Sequence, residues 1–134
     1  MSDKQASVDS LKRLVADFVA ERQWQEFHTP KNLAMSLAIE AAELMEHFQW
    51  LTPEEAARAA DEPGERVAIG EELADVVCYA LALANRLGID VSEALVDKMH
   101  KNAVKYPAGD FRGRWGAADR RRPAADGGAP TSQA

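Results

Sequence analysis

Acidic side chains recur three residues apart in two apolar stretches of the chain, IEAAELMEHFQW and EELADVVCY. The first stretch contains Glu40 and Glu43, and the second contains Glu72 and Asp75. On a helix, residues three apart are neighbours on one face. Each stretch therefore offers a pair of carboxylates, and such oxygen ligands suit a hard divalent cation, Mg²⁺ with Mn²⁺ as a possible substitute.

Each acid pair borders an apolar stripe of its own helix. At about 100° per residue, one side of the Glu40 helix collects Leu33, Leu37, Leu44, Phe48 and Leu51, while Glu43 and His47 face the other. The Glu72 helix repeats this layout with Ile69, Val76, Ala80, Leu83 and Leu87. Packing the stripes together would gather four carboxylates in a partly buried cluster, whose repulsion calls for a cation.

The alternative is that these acids form solvated helix faces. A single E-x-x-E pair is usually surface charge. Two pairs at matching positions beside apolar stripes favour a metal site.

Apolar periodicity and helix-capping residues predict an all-α chain of four-helix-bundle type. The predicted segments run from Val8 to Gln23, from Pro30 to Leu51, over a short stretch from Thr52 to Pro63, from Arg66 to Leu87, and from Asp90 to Pro107. No period-two pattern competes. Residues 1–112 are predicted to form one domain, and residues 113–134, rich in Arg, Gly, Pro and Ala, a disordered tail.

Composition limits the classes of partner. The net charge of −6 over 134 residues argues against binding a nucleic-acid backbone. The sequence shows no signal peptide or membrane-spanning run, and the single cysteine, Cys78, suits a reducing compartment. We therefore expect a cytoplasmic protein without nucleic-acid or membrane partners.

The chain resembles the all-α nucleoside triphosphate pyrophosphohydrolases of the MazG superfamily, in particular the dCTP pyrophosphatase-like branch. The resemblance rests on ERQWQEFHTPKNL, IEAAELMEHFQW, EELADVVCY and KMHKNAVKYP, which together cover most of Leu11 to Pro107. It implies hydrolysis of a nucleoside triphosphate between the α and β phosphorus, giving the monophosphate and pyrophosphate. Clearance of modified nucleotides is the biological role that follows from it.

The resemblance also implies roles for individual residues. Glu40, Glu43, Glu72 and Asp75 would be the catalytic Mg²⁺ ligands, and one glutamate, such as Glu43, would orient the attacking water. The substrate-binding residues would be Trp24, His28, Lys31, Trp50, Tyr79, Lys98, Asn102 and Lys105. Val15 stands where related enzymes often have a polar residue, so the preferred base is left open.

Two other classes compete with a pyrophosphohydrolase. A ferritin-like di-iron protein needs Glu-x-x-His ligand pairs, and the acid pairs here lack the histidines. A helical partner-binding module without catalysis needs only apolar faces. We also expect a homodimer or homotetramer, because the apolar stripes exceed what one small bundle buries and the resemblance implies sites near subunit contacts.

Overall fold

A computed structural model describes residues 1–113, and every regular element in that span is helical. In chain order these are α1 Val8–Glu21, α2 Pro30–Glu46, α3 Pro53–Ala56, a 3₁₀ turn Ala59–Asp61, α4 Pro63–Leu87, α5 Val91–Lys105 and α6 Ala108–Phe111. The described residues contain no strand. The all-α prediction is confirmed.

Side-chain caps begin the helices where the sequence predicts them. The Thr29 hydroxyl accepts a hydrogen bond from the Asn32 amide, and Pro30 occupies the first position of α2. At α3 the capping box is complete, since Thr52 and Glu55 each bond the other's backbone amide. These bonds satisfy amides that have no partner within the helix.

Several predicted boundaries were wrong. The longest helix, α4, begins at Pro63 and not at Arg66, because proline fits a first helical position, where no backbone donor is needed. The second helix ends at Glu46, and residues 47–50 form turns before Leu51. The first helix ends at Glu21 and is followed by Gln23 with φ of 53°. The short α6 has no counterpart in the prediction.

Helix α4 is the element that connects the first part of the fold through its contacts. It contacts α1, α2 and the 3₁₀ turn. Leu33 of α2 is buried, as are Leu81, Ala82 and Ala84 of α4. The predicted α4 stripe was wrong at Ala80 and Leu87, which are exposed. Because α4 contacts α1 as well as α2, its buried residues are Leu81, Ala82 and Ala84 and not Ala80 and Leu87.

Two long-range hydrogen bonds fix α1 against the end of α4. The Asn85 side-chain amide donates to the Lys12 carbonyl at 2.8 Å, and the Lys12 ammonium donates to the Ile89 carbonyl at 2.8 Å. At the other end of α4, His47 Nδ1 lies 3.3 Å from a carboxylate oxygen of Glu65. These contacts hold α1 and α2 at defined positions along α4.

The chain divides into two compact units, Met1–Ser92 and a second unit that begins at Glu93. The first contains α1 to α4. In the second, Tyr106 and Phe111 pack edge to face with ring centroids 5.3 Å apart, which joins the end of α5 to α6. A single domain over residues 1–112 stays a prediction, and almost all of the predicted tail lies outside the described residues.

None of the described helices combines the length and the apolar character that a membrane crossing requires.

Gly88 has a backbone conformation that other residues resist. It ends α4 with φ of 65°, and its amide bonds back to the Ala84 and Asn85 carbonyls. Gly88→Ala should lower the free energy of unfolding by about 1 kcal/mol, the cost of a left-handed L-residue. Urea unfolding followed by circular dichroism measures this.

Gly70→Ala is the matched control within the same helix. No heavy atom lies within 4 Å of a Cβ built at Gly70, so alanine there should raise stability by about 0.5–1 kcal/mol. Equal effects at the two positions would contradict the assignment of Gly88 as the helix-ending residue.

Candidate functional site

Three glutamates meet where α2 packs on α4. Glu40 and Glu43 come from α2 and Glu72 from α4, and one carboxylate oxygen of each lies within 4.8 Å of the others. Glu40 and Glu72 are half-buried, while Glu43 is exposed. The predicted convergence of the two acid pairs is thus present for three of the four acids.

The electrostatics of this cluster oppose ionisation of Glu40. Burial raises the pKa of the Glu40 carboxyl, and the negative charges of Glu43, Asp75 and Glu72 raise it further. Asp75 is therefore close enough to act on Glu40, although it does not belong to the set within 4.8 Å. In the folded chain these carboxylates repel one another unless a cation neutralises their charge.

The donor set fits a hard metal ion. All three ligand groups are carboxylates, and no histidine or cysteine belongs to the cluster in residues 1–113. Mg²⁺ and Mn²⁺ prefer such oxygen ligands. Glu40, Glu43 and Glu72 would hold one such ion between the two helices.

A cleft of about 880 Å³ lies between α1 and α4. It brings together four residues singled out from the sequence: Trp24, His28, Asp75 and Tyr79. The α1 side is apolar, formed by Leu11, Leu14, Val15, Phe18 and Val19. Through Asp75 the cleft adjoins the acid cluster, so one ligand can touch the aromatic residues and the acids together.

The aromatic end of the cleft is ordered by ring contacts. Trp24 packs edge to face on Phe18, with centroids 6.0 Å apart, and lies 6.4 Å from the His28 ring. Trp24 remains 44% exposed, so part of its indole is free to stack on a flat ligand.

Cys78 also lines this cleft. Burial, and then the charges of Asp75 and Glu40, raise the pKa of its thiol. Because the thiolate is the reactive form, the raised pKa disfavours Cys78 as a nucleophile.

Sequence reasoning missed a second, smaller cavity of about 350 Å³. Its polar lining residues are Gln25, His28, Asn85 and Arg86. The signal for Arg86 is present in the sequence, because Glu72, Asp75, Tyr79, Ala82 and Arg86 follow one another at alternating spacings of three and four. Such spacing keeps residues on one helix face. The contribution of Gln25 depends on the turn after α1 and has no such signal.

Other predicted residues are not among those that line either cleft. Trp50 lies in the turn after α2 and is 86% exposed. Lys31 is exposed in the first turn of α2. Their roles in substrate binding stay unsupported by a contact.

The remaining predicted residues belong to the second unit. Lys98, Asn102 and Lys105 all lie on α5, with Asn102 half-buried and both lysines exposed. The Lys105 ammonium lies 5.2 Å from the centroid of the Tyr106 ring. Contact of these three residues with phosphate stays a prediction.

Comparison with protein families decides the identity of the fold. The model of the MazG-like family matches residues 35–114, a segment that contains both acid pairs. The chain belongs to the MazG-like family. The all-α, MazG-like prediction is confirmed.

Curated relatives from mammals share much of the sequence. The chain is 43% identical over 107 residues to dCTP pyrophosphatase 1 of Rattus norvegicus, which covers 80% of this chain and 63% of the relative. It is 44% identical over 102 residues to dCTP pyrophosphatase 1 of Homo sapiens, covering 76% and 60%. The chain therefore spans less than two thirds of the length of these MazG-like relatives.

A solved structure shares the fold over nearly its whole length. The crystal structure of a pyrophosphatase from Archaeoglobus fulgidus covers 80% of this chain and 98% of its own, with 38% identity and a TM-score of 0.69.

The charge on Glu40 should destabilise the metal-free protein. Its raised pKa means that stability is fully present below the pKa of an unfolded glutamate and is lost as pH rises through the folded value. Glu40→Gln should therefore raise the urea midpoint in EDTA at pH 7, and the gain should vanish at about pH 4.

Glu46→Gln is the control, because Glu46 is exposed on the same helix and lies outside the cluster. Its midpoint should follow that of the original protein across the pH range. A midpoint for Glu40→Gln that is lower than that of the original protein at pH 7 in EDTA would contradict the repulsive cluster.

Proposed function

We propose that the chain is a Mg²⁺-dependent nucleoside triphosphate pyrophosphohydrolase. Its substrate would be a deoxynucleoside triphosphate, dCTP or a modified cytosine dNTP, cleaved between the α and β phosphorus to dNMP and pyrophosphate. Removal of unwanted nucleotides from the cellular pool would be its role. Mn²⁺ would substitute for Mg²⁺.

The observation that carries the proposal is the carboxylate cluster beside a cleft with aromatic walls. Glu40, Glu43 and Glu72 approach one another within 4.8 Å, and Asp75, which acts on Glu40, also lines the cleft with Trp24. Acids alone would repel a triphosphate, so an acid cluster at this position supports a metal-mediated phosphate site. The names of the curated relatives support cytosine nucleotides as substrates.

The metal would be held by carboxylate oxygens of Glu40, Glu43 and Glu72, with Asp75 beside them. When bound, Mg²⁺ supplies neutralisation of the triphosphate, its alignment, and a lower pKa for the attacking water. Glu43 is the exposed member of the cluster, so its carboxylate is accessible to orient that water and accept its proton. The water oxygen forms the new bond to phosphorus as the anhydride bond breaks and pyrophosphate leaves.

The aromatic residues would hold the nucleoside. Trp24 offers a partly exposed ring, and stacking on one aromatic ring contributes about 1–3 kcal/mol per base. Tyr79 lies one helical turn beyond Asp75 and lines the same cleft, so its side chain suits the sugar or base of a nucleotide whose phosphates are held at the acids.

A panel of dNTPs and NTPs with Mg²⁺, analysed by phosphorus NMR, tests the reaction. We expect monophosphate and pyrophosphate, with dCTP cleaved faster than dTTP. Diphosphate and inorganic phosphate would show cleavage of the other anhydride bond and refute the proposal. No turnover of any nucleotide at high protein concentration would favour a non-catalytic helical module.

Acid variants separate the metal site from general charge effects in the same assay. Glu40→Gln and Asp75→Asn should lower kcat/KM by at least about a hundredfold, since removal of a charged group from a reacting centre costs several kcal/mol. Glu46→Gln should retain full activity. Full activity in either cluster variant would exclude the assigned ligands.

We also propose that the chain assembles as a homodimer or homotetramer. Only four residues of the described span form the buried apolar core. Large apolar side chains remain exposed on α1, α2, α4 and α5, and those of the first three helices include Leu14, Phe18, Met35, Ile39, Met45, Val67, Leu73 and Val77. Exposed apolar area on this scale is typical of an interaction surface.

Light scattering at micromolar concentration should give a mass of two or four chains. Ile39→Lys introduces a charge at an exposed apolar position of α2 and should lower that mass. Lys31→Glu, an exposed change on the same helix, should leave the mass unaltered. A mass of one chain for the original protein would contradict the assembly.

A further inference from the structure

One face of α4 changes in chemistry along its length. Glu72, Asp75, Tyr79, Ala82 and Arg86 occupy this face at alternating spacings of three and four residues. With a rise of about 1.5 Å per residue, Arg86 lies about 16 Å along the axis from Asp75. The acidic end and the cationic end of this face are thus separated by Tyr79 and Ala82.

The smaller cavity continues the large cleft toward Arg86. Val15, Val19, His28 and Ala82 line both spaces. A ligand that occupies the cleft beside Asp75 and Tyr79 can therefore extend into the smaller cavity. At about 350 Å³, this cavity falls in the range of small-molecule pockets, about 300–1,000 Å³.

Two residues that line the smaller cavity, Arg86 and Gln25, are exposed to solvent, and their side chains have no protein partner among the described residues. Within residues 1–113, neither Arg86 nor Gln25 takes part in a hydrogen bond or ion pair through its side chain. Asn85 differs, because its amide nitrogen is bonded to the Lys12 carbonyl. His28 is the fourth polar residue of the lining, and the other lining residues are apolar: Val15, Ala16, Val19, Ala20 and Ala82.

We propose that Arg86 is a specificity-determining residue that reads the ring edge of the base. This inference rests on the proposed function and names how its substrate is selected. The Arg86 guanidinium is a planar fork of donors with no acceptor. Cytosine presents two adjacent acceptors, O2 and N3, whereas N3 of thymine or uracil carries a hydrogen. Arg86 therefore favours cytosine.

Gln25 can pair with the ring substituent next to N3, on the same edge of the base. Its side-chain oxygen accepts from the amino group of cytosine, whereas its amide NH2 group would donate to the carbonyl oxygen of thymine, so Gln25 supports base binding and Arg86 carries the discrimination. The apolar walls leave few other polar groups to satisfy the base, and an unpaired polar group in such a site is costly. The cavity discriminates by hydrogen-bond pattern and not by size.

The distance between Arg86 and the acids argues against contact between Arg86 and the phosphates of a nucleotide. The phosphates would be held at the acid cluster, and Arg86 is about 16 Å farther along the helix axis than Asp75. Residues between them, Tyr79 and Ala82, line the cleft. A nucleotide bound by its phosphates at the acids presents its base, not its phosphates, to this end.

The test compares Arg86→Met with the original full-length chain on dCTP and dTTP. The ratio of the two kcat/KM values should fall about tenfold to a hundredfold, as expected for loss of a bidentate contact to a base. Most of the loss should appear in KM for dCTP. Inhibition by the product dCMP should weaken in parallel, while inhibition by dTMP should change less than about threefold.

Arg66→Met is the matched control, an exposed arginine on the same helix that lines neither cavity, and its ratio should not change. If Arg86→Met does not fold by circular dichroism, Arg86→Lys takes its place. Its ratio should still fall about tenfold, because an ammonium group lacks the planar fork.

The outcomes separate this inference from the proposed function. An unchanged ratio in a folded Arg86 variant, an equal loss for both nucleotides, or an original protein that prefers dTTP would each overturn the role of Arg86 and leave pyrophosphohydrolysis intact. An original protein that cleaves no nucleotide would overturn both.

Discussion

Repulsion between carboxylates constrains the interface of α2 and α4. These two helices pack against each other, and their contact brings Glu40 and Glu72 together. Hydrophobic burial favours that contact and the acids oppose it, which is why the pKa of Glu40 is raised. A bound cation would convert the opposing term into a favourable one, so metal binding and packing of this interface would be linked energetically. The metal-bound site would then add to the stability of the fold.

The same helix, α4, organises both ends of the candidate site. Near its middle it carries the acids, and near its end it carries Arg86 and the Asn85 amide that fixes α1. Helix α1 is hydrogen-bonded to that end of α4 and also packs along it, so α4 forms one wall of the cleft and α1, held against it, forms the other. A rigid helix holds successive side chains at fixed distances. Helix α4 alone would therefore align both ends of a bound nucleotide.

Local signals explain how much could be predicted from sequence. The Thr52 capping box and the left-handed Gly88 depend on neighbours in the chain, and they lie at two boundaries of the predicted segments, the start at Thr52 and the end at Leu87. The acid pairs were recognisable because periodicity sets them beside apolar stripes. The buried positions of α4 were not recoverable, because they depend on α1 docking as well as on α2. The role of Gln25 depends on the turn that follows α1, with its positive φ at Gln23, and helical periodicity says nothing about such a turn.

Two groups of exposed apolar side chains have different consequences for binding and assembly. The large cleft is lined by the first group, Leu14, Phe18, Leu73 and Val77. A nucleotide bound there would cover this apolar surface, and a partner chain could not cover it at the same time. Met35, Ile39 and Met45 are exposed on α2 and line neither cavity. Association of chains through α2 would leave the cleft open and would bury surface on the helix that carries Glu40 and Glu43. Assembly of that kind restrains the acid-bearing helix without competing with the substrate.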